Sequence, residues 1–338
     1  MSKFETIYNK NYKKLLIVTA LLLVVSMISI GFFYFQNGDI MSKDVSLTGG
    51  TTITIFTETD VTELTNFLEK SIQDFEISAL SDNTGKQTRI SIVVQESQTD
   101  SLKNALEEFL GEKLTQENSS IETTSSALSA DFYKQLLVAI LLAFFWMAGV
   151  VFLIFAKGKK IKTISFFLNV LLGILLGALF VRGIFLINLI FVILLMIGLT
   201  YIYIKNSVPS FAVMLSAFAD ITMTLAMVDI LGIKISTAGI VAFLMLIGYS
   251  VDTDVLLTTR ILQRKKSVNK ELYEAFKTGT TMTMTSIVAI GVALFIVAPF
   301  GSVLNQIFQI LLIGLFFDLF NTWITNASIL KWYAEVNK

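Results

Sequence analysis

The sequence predicts a polytopic α-helical membrane protein of about eight spans, with one small α/β domain outside the membrane. Of its 338 residues 54% are hydrophobic and the mean hydropathy is +0.72, which excludes an ordinary soluble domain. Apolar segments of about 20 residues, the length that crosses a bilayer, recur along the chain. One long polar stretch, 36–133, interrupts them and holds 17 of the 26 acidic residues but only 6 of the 26 basic ones.

The apolar segments predict both the spans and the divisions of the chain. We expect spans at 15–35, 135–155, 164–181, 184–204, 210–230, 236–255, 281–298 and 306–327. The first is too long for a signal peptide, so we interpret it as a retained anchor. The predicted divisions are an N-terminus with the first span, the polar domain, the second span, a hairpin of two spans, and a four-helix core with a basic loop and C-terminus. Their bounds are 1–35, 36–133, 134–156, 157–206 and 207–338.

Lysine and arginine in the short loops predict the orientation. If the N-terminus is inside, the basic loop residues near 157–162, at Lys205 and across 260–277 are inside as well. The short outer loops then hold only Arg182 and Lys234. Because basic residues concentrate on the cytoplasmic side, we expect both termini in the cytoplasm and the acidic domain outside the cell membrane.

The polar stretch is patterned as a ferredoxin-like domain. We expect strands at 45–56, 76–80, 89–95 and 117–125, and helices at 61–72 and 99–114. Thr59 or Asp60 is the candidate cap of the first helix, and residues 81–86 are typical of a turn. The order βαββαβ favours a small α/β sandwich. Asn118 begins an N-glycosylation sequon, a triplet that is common by chance.

Composition excludes several kinds of chemistry. The chain has no Cys and no His, so it forms no disulfide, has no thiolate and lacks the commonest metal ligand. It has no G-x-x-x-x-G-K-[ST] loop, so nothing indicates ATP hydrolysis. We therefore expect no enzyme activity, no cofactor and no metal. Any group that handles protons must be a carboxylate, helped by Lys, Arg or Tyr.

One motif, GYSVDTDVLLTTR at 248–260, places charges directly after an apolar helix. Charges so close to hydrocarbon are costly unless they face protein or water. Asp252 and Asp254 lie two residues apart, so on a helix they point to different sides and do not form one chelating pair. Arg260 lies eight residues after Asp252, close to the same face. The alternative for Arg260 is an anchor at the inner membrane surface.

Two further carboxylates lie deep in predicted spans. Asp220 is about eleven residues into the fifth span, roughly 16 Å deep. Asp318 is about twelve residues into the last span, with Asn321 and Thr322 on the same helix face. Such carboxylates should be protonated, paired or in a water cavity. The alternatives are that Asp220 only hydrogen-bonds Ser216 or Thr224, and that Asp318 only makes hydrogen bonds between helices.

Four blocks of sequence resemble the archaeal type of the SecF family of protein-export membrane proteins. They are GYSVDTDVLLTTR (248–260), VPSFAVMLSAFADI (208–221), KTGTTMTMTS (277–286) and GLFFDLFNTWITNASILKWY (314–333). LTGGT (47–51) is similar to the strand that opens the outer domain of that family. The resemblance implies an RND-superfamily fold, usually with six spans, and packing roles for Gly49, Gly50, Gly248, Tyr249 and Ser250.

The resemblance also implies a function. A SecF-like chain acts with a SecD-like partner at the SecY translocon, contacts the translocating polypeptide and membrane lipids, and does not bind nucleic acid. Proton flux drives it, with an aspartate matching Asp220 as the carrier. The family's arginine carries over to Arg260, whereas the acid before it is here Thr259. We expect Asp252, Asp254 and Asp318 to tune the carrier.

Several alternatives stay open. The chain could be a subunit of an RND-type small-molecule or lipid exporter, or a scaffold of the translocon that conducts nothing. The hairpin at 157–206, an addition to the family pattern with a Gly173-x-x-x-Gly177 motif, either holds a partner helix or packs on the body and faces lipid. We expect the basic segment 264–277 at the anionic inner surface and Asp229 in contact with solvent.

Overall fold

The computed structural model describes residues 3–72, 75–81, 86–182, 186–264, 267–298 and 303–336. Long helices alternate with one small sheet domain. The helices are α1 (Lys3–Asn37), α2 (Val45–Thr48), α3 (Val61–Leu68), α4 (Thr99–Leu110), α5 (Ser126–Phe155), α6 (Lys159–Arg182), α7 (Leu186–Asn206), α8 (Val208–Ile230), α9 (Thr237–Leu262), α10 (Val268–Val297), α11 (Val303–Asn321) and α12 (Ala327–Val336). The strands are β1 (Gly50–Ile55), β2 (Glu76–Ser81), β3 (Gln87–Val94) and β4 (Ser119–Thr124).

Among the described residues, eight helical segments are long and apolar enough to cross a membrane, as the sequence predicts. They are Asn11–Asn37, Ser126–Phe155, Lys159–Ala178, Leu189–Asn206, Val208–Ile230, Thr237–Leu262, Val268–Val297 and Leu304–Val336. The last is composite, because a π-helical turn, Thr322–Asn326, joins α11 to α12. Most of the predicted spans are shorter than the observed helices, because polar first and last turns continue each helix beyond its apolar stretch.

The basic segment 264–277 leads into a long helix, and residues 268–277 are the first turns of α10. Val268, Leu272 and Ala275 are buried in one cluster with Leu257 and Trp323. The apolar side of this segment therefore packs on protein. Residues 265 and 266 lie outside the described residues.

The sheet domain has the predicted ferredoxin-like order. β1 pairs antiparallel with both β3 and β4, and β3 pairs with β2, which gives the strand order β2-β3-β1-β4. Isoleucines of β1 and β3, such as Ile53 and Ile92, are buried with Leu64 of α3 and Leu102 of α4. One face of the sheet is thus covered by the two helices. The predicted turn at 81–86 lies mostly outside the described residues.

Local signals set the ends of the domain helices. Asp60, one of the two predicted caps, accepts a hydrogen bond of 2.9 Å from the amide of Thr62. This bond holds the pKa of the exposed Asp60 carboxyl below its usual range. α4 ends at Gly111, whose φ of 71° is the left-handed conformation that closes helices.

α8 is the centre of the membrane body. Of its apolar window 72% is buried, against 6% for α1 and for α10, so those two helices form the outside of the body. Ser207 caps α8 and Pro209 occupies its first turn, a combination that starts helices. α9 and α11 pack on α8 and on each other. They approach closely at Gly314, where an added Cβ would lie 2.5 Å from the side chain of Leu246.

The hairpin of α6 and α7 packs on α5 and α8. Three buried polar side chains meet between its helices, which we call the hairpin cluster: Ser165, Asn169 and Tyr203. Asn169 Nδ2 donates to the Tyr203 hydroxyl at 2.6 Å, and Asn169 also packs against Gly149 of α5. At Gly177 no described atom lies within 4 Å of where a Cβ would be, so this part of the G-x-x-x-G motif makes no close helix contact within the described part of the chain.

Candidate functional site

Three aspartates from three helices meet inside the membrane body. Asp220 of α8, Asp254 of α9 and Asp318 of α11 each have no solvent exposure. The sequence places all three at candidate positions, and the fold brings them to one buried cluster, which we call the carboxylate cluster. No Lys or Arg pairs with any of them within the ranges that the structure describes.

Asp220 is held by side chains from two other helices. Ser250 Oγ of α9 donates to Asp220 Oδ2 at 2.6 Å, and Asn321 Nδ2 of α11 donates to Asp220 Oδ1 at 2.8 Å. The partners expected from the sequence, Ser216 and Thr224, do not bind the carboxyl. Thr224 Oγ1 instead donates to the backbone oxygen of Asp220 at 2.5 Å, which is the common choice of a helical threonine.

Thr322 links the other two carboxyls. Its hydroxyl lies 2.9 Å from Asp254 Oδ1 and 3.2 Å from Asp318 Oδ1. A hydroxyl has one proton to donate, so both contacts are full hydrogen bonds only when one of the carboxyls is protonated and donates back. Asn326 Nδ2 adds a second hydrogen bond to Asp254 Oδ1, at 2.8 Å.

The carboxylate cluster has incomplete hydrogen bonding. Asp254 Oδ2, Asp318 Oδ2 and Ser216 Oγ are buried and have no partner among the described residues. Three ionised carboxylates without a cation would be strongly unstable in such surroundings. This arrangement is therefore stable only with at least one of the carboxyls protonated, and each oxygen without a partner can take one further hydrogen bond.

The π-helical turn and the residue before it supply three of the polar partners. Thr322 and Asn326 lie in it and Asn321 directly precedes it. Turns of this kind are rare and occur often at functional sites. The sequence points to Asn321 and Thr322 but not to Asn326. The signal that could have found it is the continued polar spacing from Asp318 to Thr325 and Asn326, which keeps one face of the helix polar for more than two turns.

Asp252 and Arg260 lie outside the carboxylate cluster. Asp252 is exposed although Asp254, two residues on, is buried, as the helical geometry of the motif predicts. Arg260 is partly exposed and makes no ion pair with any residue in the described ranges. A direct contact between Arg260 and the carboxyls is thus absent from this arrangement. Six residues separate Arg260 from Asp254, which turns its side chain to another side of α9 and away from the cluster.

Of the residues in the family motif, some are likewise buried at the carboxylate cluster and others lie away from it. Ser250 is buried on Asp220, whereas Gly248 and Tyr249 lie on the exposed side of α9. A Cβ added at Gly248 would meet no described atom within 4 Å, so the packing expected there does not occur within the described chain. Gly49, with a φ of 83°, packs against the backbone of Ser126, and Gly50 is buried at the start of β1.

Among the described residues no three His, Cys, Asp or Glu side chains are grouped closely enough to hold a metal ion. The arrangement instead offers hydroxyl and amide groups to carboxyls, which suits the exchange of protons.

Known proteins identify the family. The family model described as protein export membrane protein SecD/SecF, C-terminal, matches residues 169–336, which include the carboxylate cluster. The protein-export membrane protein SecF of Methanocaldococcus jannaschii is 33% identical over 329 residues, covering 96% of each chain. SecF of Methanopyrus kandleri is 25% identical over 336 residues, covering 98% of each. SecF of Methanolacinia petrolearia is 46% identical over 149 residues, 44% of this chain and 52% of the relative.

A solved structure agrees in fold. SecDF from Thermus thermophilus, described as a translocon-associated membrane protein, superposes with a TM-score of 0.56 at 17% identity. The match covers 98% of this chain and 38% of the SecDF chain, so this chain spans well under half of that protein. Together with the full-length match to SecF of M. jannaschii, these findings show that the chain belongs to the SecF family of protein-export membrane proteins.

Proposed function

We propose that this SecF-family chain, an accessory subunit of protein export, couples proton movement through its membrane body to the late translocation and release of secreted polypeptide. The carboxylate cluster carries the proposal. Three buried carboxyls from α8, α9 and α11 meet without a basic partner in the described chain, linked by hydroxyl and amide groups.

Asp220 is the proton carrier in this proposal, and its two oxygens have different roles. Asn321 Nδ2 is only a donor, so Asp220 Oδ1 accepts in either state. The hydroxyl of Ser250 can donate to an ionised carboxylate or accept from a protonated one. Asp220 Oδ2, 2.6 Å from Ser250 Oγ, is therefore the oxygen that gains and loses the proton.

Loss of the proton changes the balance of helix packing. An ionised Asp220 needs more solvation than one hydroxyl and one amide provide, so α8, α9 and α11 shift or admit water. Asp254 and Asp318 share the hydroxyl of Thr322, which lets a proton pass between them. The resulting two arrangements of the helices are the switch through which proton flow acts on the outer domain.

The partners in this proposal are a SecD-like membrane protein and the SecY translocon. This chain matches 38% of the SecDF chain, which supports a separate SecD-like chain in the place of the remainder of SecDF. The largely unburied α1 and α10 offer apolar faces to that chain or to lipid. Both termini would be cytoplasmic and the sheet domain would lie outside the cell membrane, where it meets the emerging polypeptide.

The scaffold remains the second candidate, because both oxygens of Asp220 are hydrogen-bonded and could serve only to hold three helices together. The deciding experiment compares Asp220→Asn with wild type for release of a secreted reporter, at matched protein levels and with an intact proton gradient. We expect release to fall to the level seen when the gradient is collapsed.

The matched control is Asp252→Asn, the same substitution at an exposed aspartate of the neighbouring helix, and it should release normally. Copurification of the SecD-like partner shows whether assembly survives. Unchanged release with Asp220→Asn would favour the scaffold. Loss of small-molecule export with normal release of the reporter would favour the RND-type exporter.

A further inference from the structure

A second buried carboxyl on α8 lies at the opposite end from the carboxylate cluster, beside the sheet domain. Asp229 is 9% exposed, and neither of its carboxylate oxygens has a hydrogen-bond partner among the described residues. The sequence predicts a solvated Asp229 because it is near the end of a span. The prediction is wrong, since the segment between α1 and β1 covers this end of α8.

That segment, residues 39–49, is called the docking segment here. It forms an isolated parallel β-bridge with the loop between α8 and α9. The amide of Ile235 donates to the oxygen of Ser42 at 2.7 Å, and the amide of Asp44 donates to the oxygen of Ile235 at 2.9 Å. The amide of Thr237 donates to Ser46 Oγ at 3.2 Å. These bonds thus tie the docking segment to the connection between two of the helices that hold the carboxylate cluster.

The docking segment is packed into the membrane body. Its Met41 and Leu47 are 4% and 1% exposed, in one cluster with Val228, Ile235 and Ile240. At its start Asp39 accepts hydrogen bonds from the Lys43 ammonium at 2.7 Å and from the Tyr133 hydroxyl of α5 at 2.5 Å. The docking segment is therefore a packed part of the membrane body and not an exposed linker.

The groups that face Asp229 are few. They are the carboxyl of Asp39, the hydroxyl of Tyr133 and the backbone amide of Ser42, which points to Asp229 without completing a hydrogen bond. Lys43 lies against Asp39 and 4.7 Å over the ring of Tyr133, and Asp44 and Lys234 occupy neighbouring positions of the paired segments. Burial tends to raise the pKa of Asp39, but the hydrogen bonds from Lys43, Tyr133 and Ile40 outweigh it and keep that pKa below its usual range.

Asp39 is thus already ionised near neutral pH and cannot be the group that titrates there. An ionised Asp229 would be a second negative charge close to it, buried and without a completed hydrogen bond in the described chain, whereas a protonated Asp229 is neutral and fits the site. We propose that Asp229 is a proton-binding site, and that loss of its proton releases the docking segment from α8 and α9.

Release of the docking segment would act directly on the sheet domain. Only Thr48 and Gly49, the latter at a φ of 83°, separate the buried Leu47 of the segment from β1. A cleft of about 910 Å³ beside it, lined by Lys43, Gly49, Glu96, Ser126 and Lys234, leaves room for the domain to move. The inference rests on the proposed function, in that it names the element through which helix movement reaches the outer domain.

The experiment measures access to the docking segment. The chain has no cysteine, so Met41→Cys supplies one buried thiol, and Ser120→Cys on exposed β4 supplies a reference for the pH dependence of thiol labelling itself. In the full chain in lipid vesicles, the labelling rate of Cys at 41 relative to that at 120 should rise with pH, by up to about tenfold per pH unit if one proton is released. Asp229→Asn should keep labelling slow and remove the pH dependence.

A relative rate that does not change with pH in wild type, or the same pH profile in Asp229→Asn, would overturn the inference. If Asp229→Asn does not accumulate, Asp229→Thr is the second neutral variant. Asp39→Asn should shift the level of labelling but leave its rise with pH. Asp220→Asn separates the two proposals. If only the inference on Asp229 fails, Asp229→Asn leaves the pH profile of labelling unchanged, and Asp220→Asn still stops release of the reporter.

Discussion

Two of the buried polar clusters in the described membrane body differ in one respect of their chemistry. The hairpin cluster of Ser165, Asn169 and Tyr203 contains hydroxyls and an amide, which stay neutral and bind one another. The carboxylate cluster of Asp220, Asp254 and Asp318 contains groups that ionise, in the most buried part of the body. The comparison teaches that buried polarity alone indicates packing, whereas buried groups that can gain or lose charge without a counter-ion indicate a function that uses the charge.

The largest effect should come from removing the ionisable group. Asp220→Asn keeps the shape, and its amide can accept from Asn321 and donate to the Ser250 hydroxyl, but it can never be charged. We expect the gradient-dependent part of reporter release to be lost. The matching change in the hairpin cluster, Tyr203→Phe, should leave release unaffected. Equal loss in both variants would show that the two clusters do not differ in function.

A smaller effect is expected from the bridge between carboxyls. Thr322→Val removes the hydroxyl shared by Asp254 and Asp318 at nearly constant volume. The loss of about 1–2 kcal/mol of hydrogen bonding should slow release on the order of tenfold. Thr322→Ser restores the hydroxyl and should restore the rate. If serine does not rescue, the effect of valine is on packing and not on proton exchange.

The hairpin cluster should affect stability only. Asn169→Leu removes the hydrogen bond to Tyr203, and such bonds between membrane helices contribute about 0.6 kcal/mol on average. Thermal unfolding in detergent should show a slightly lower midpoint, with reporter release per folded molecule unchanged. A fall in release per folded molecule would assign the hairpin a role in transport.

The smallest effect concerns pH at the docking segment. Because the folded pKa of Asp39 lies below its ordinary value of 3.8, Asp39 stabilises docking above that value and the contribution disappears as the pH falls through the folded pKa. Labelling of Cys at position 41 should therefore rise modestly in strong acid, and Asp39→Asn should abolish only that rise. An acid response that survives in Asp39→Asn would assign it to another group.

Much of the fold could be predicted because it follows from patterns along the chain. Apolar length predicts the eight spans, and the alternation of strands and helices predicts the βαββαβ domain. The depth of Asp220 and the divergence of Asp252 from Asp254 follow from helix geometry alone. The sequence also predicts a basic segment at 264–277, but it cannot show that Leu272 is buried in one cluster with Trp323.

The partners within the carboxylate cluster could not be predicted, because they come from helices far apart in the chain. Asn321 lies 101 residues from Asp220, and no spacing rule links them. No local motif marks the π-helical turn that presents Asn326. The prediction for Asp229 is wrong for the same reason, since a segment nearly two hundred residues earlier covers it.

Gly49 and Ser126 mark the two ends of the sheet domain. The chain enters the sheet domain at Gly49 and leaves it at Ser126, and a Cβ at Gly49 would lie 2.4 Å from the Cα of Ser126. The two ends of the domain thus touch, as in domains that are inserted into a host fold. We therefore expect the sheet domain to be modular: a short turn should replace residues 50–125 without moving α1 or α5, and a graft from another family member should fit if its junction keeps glycine at position 49.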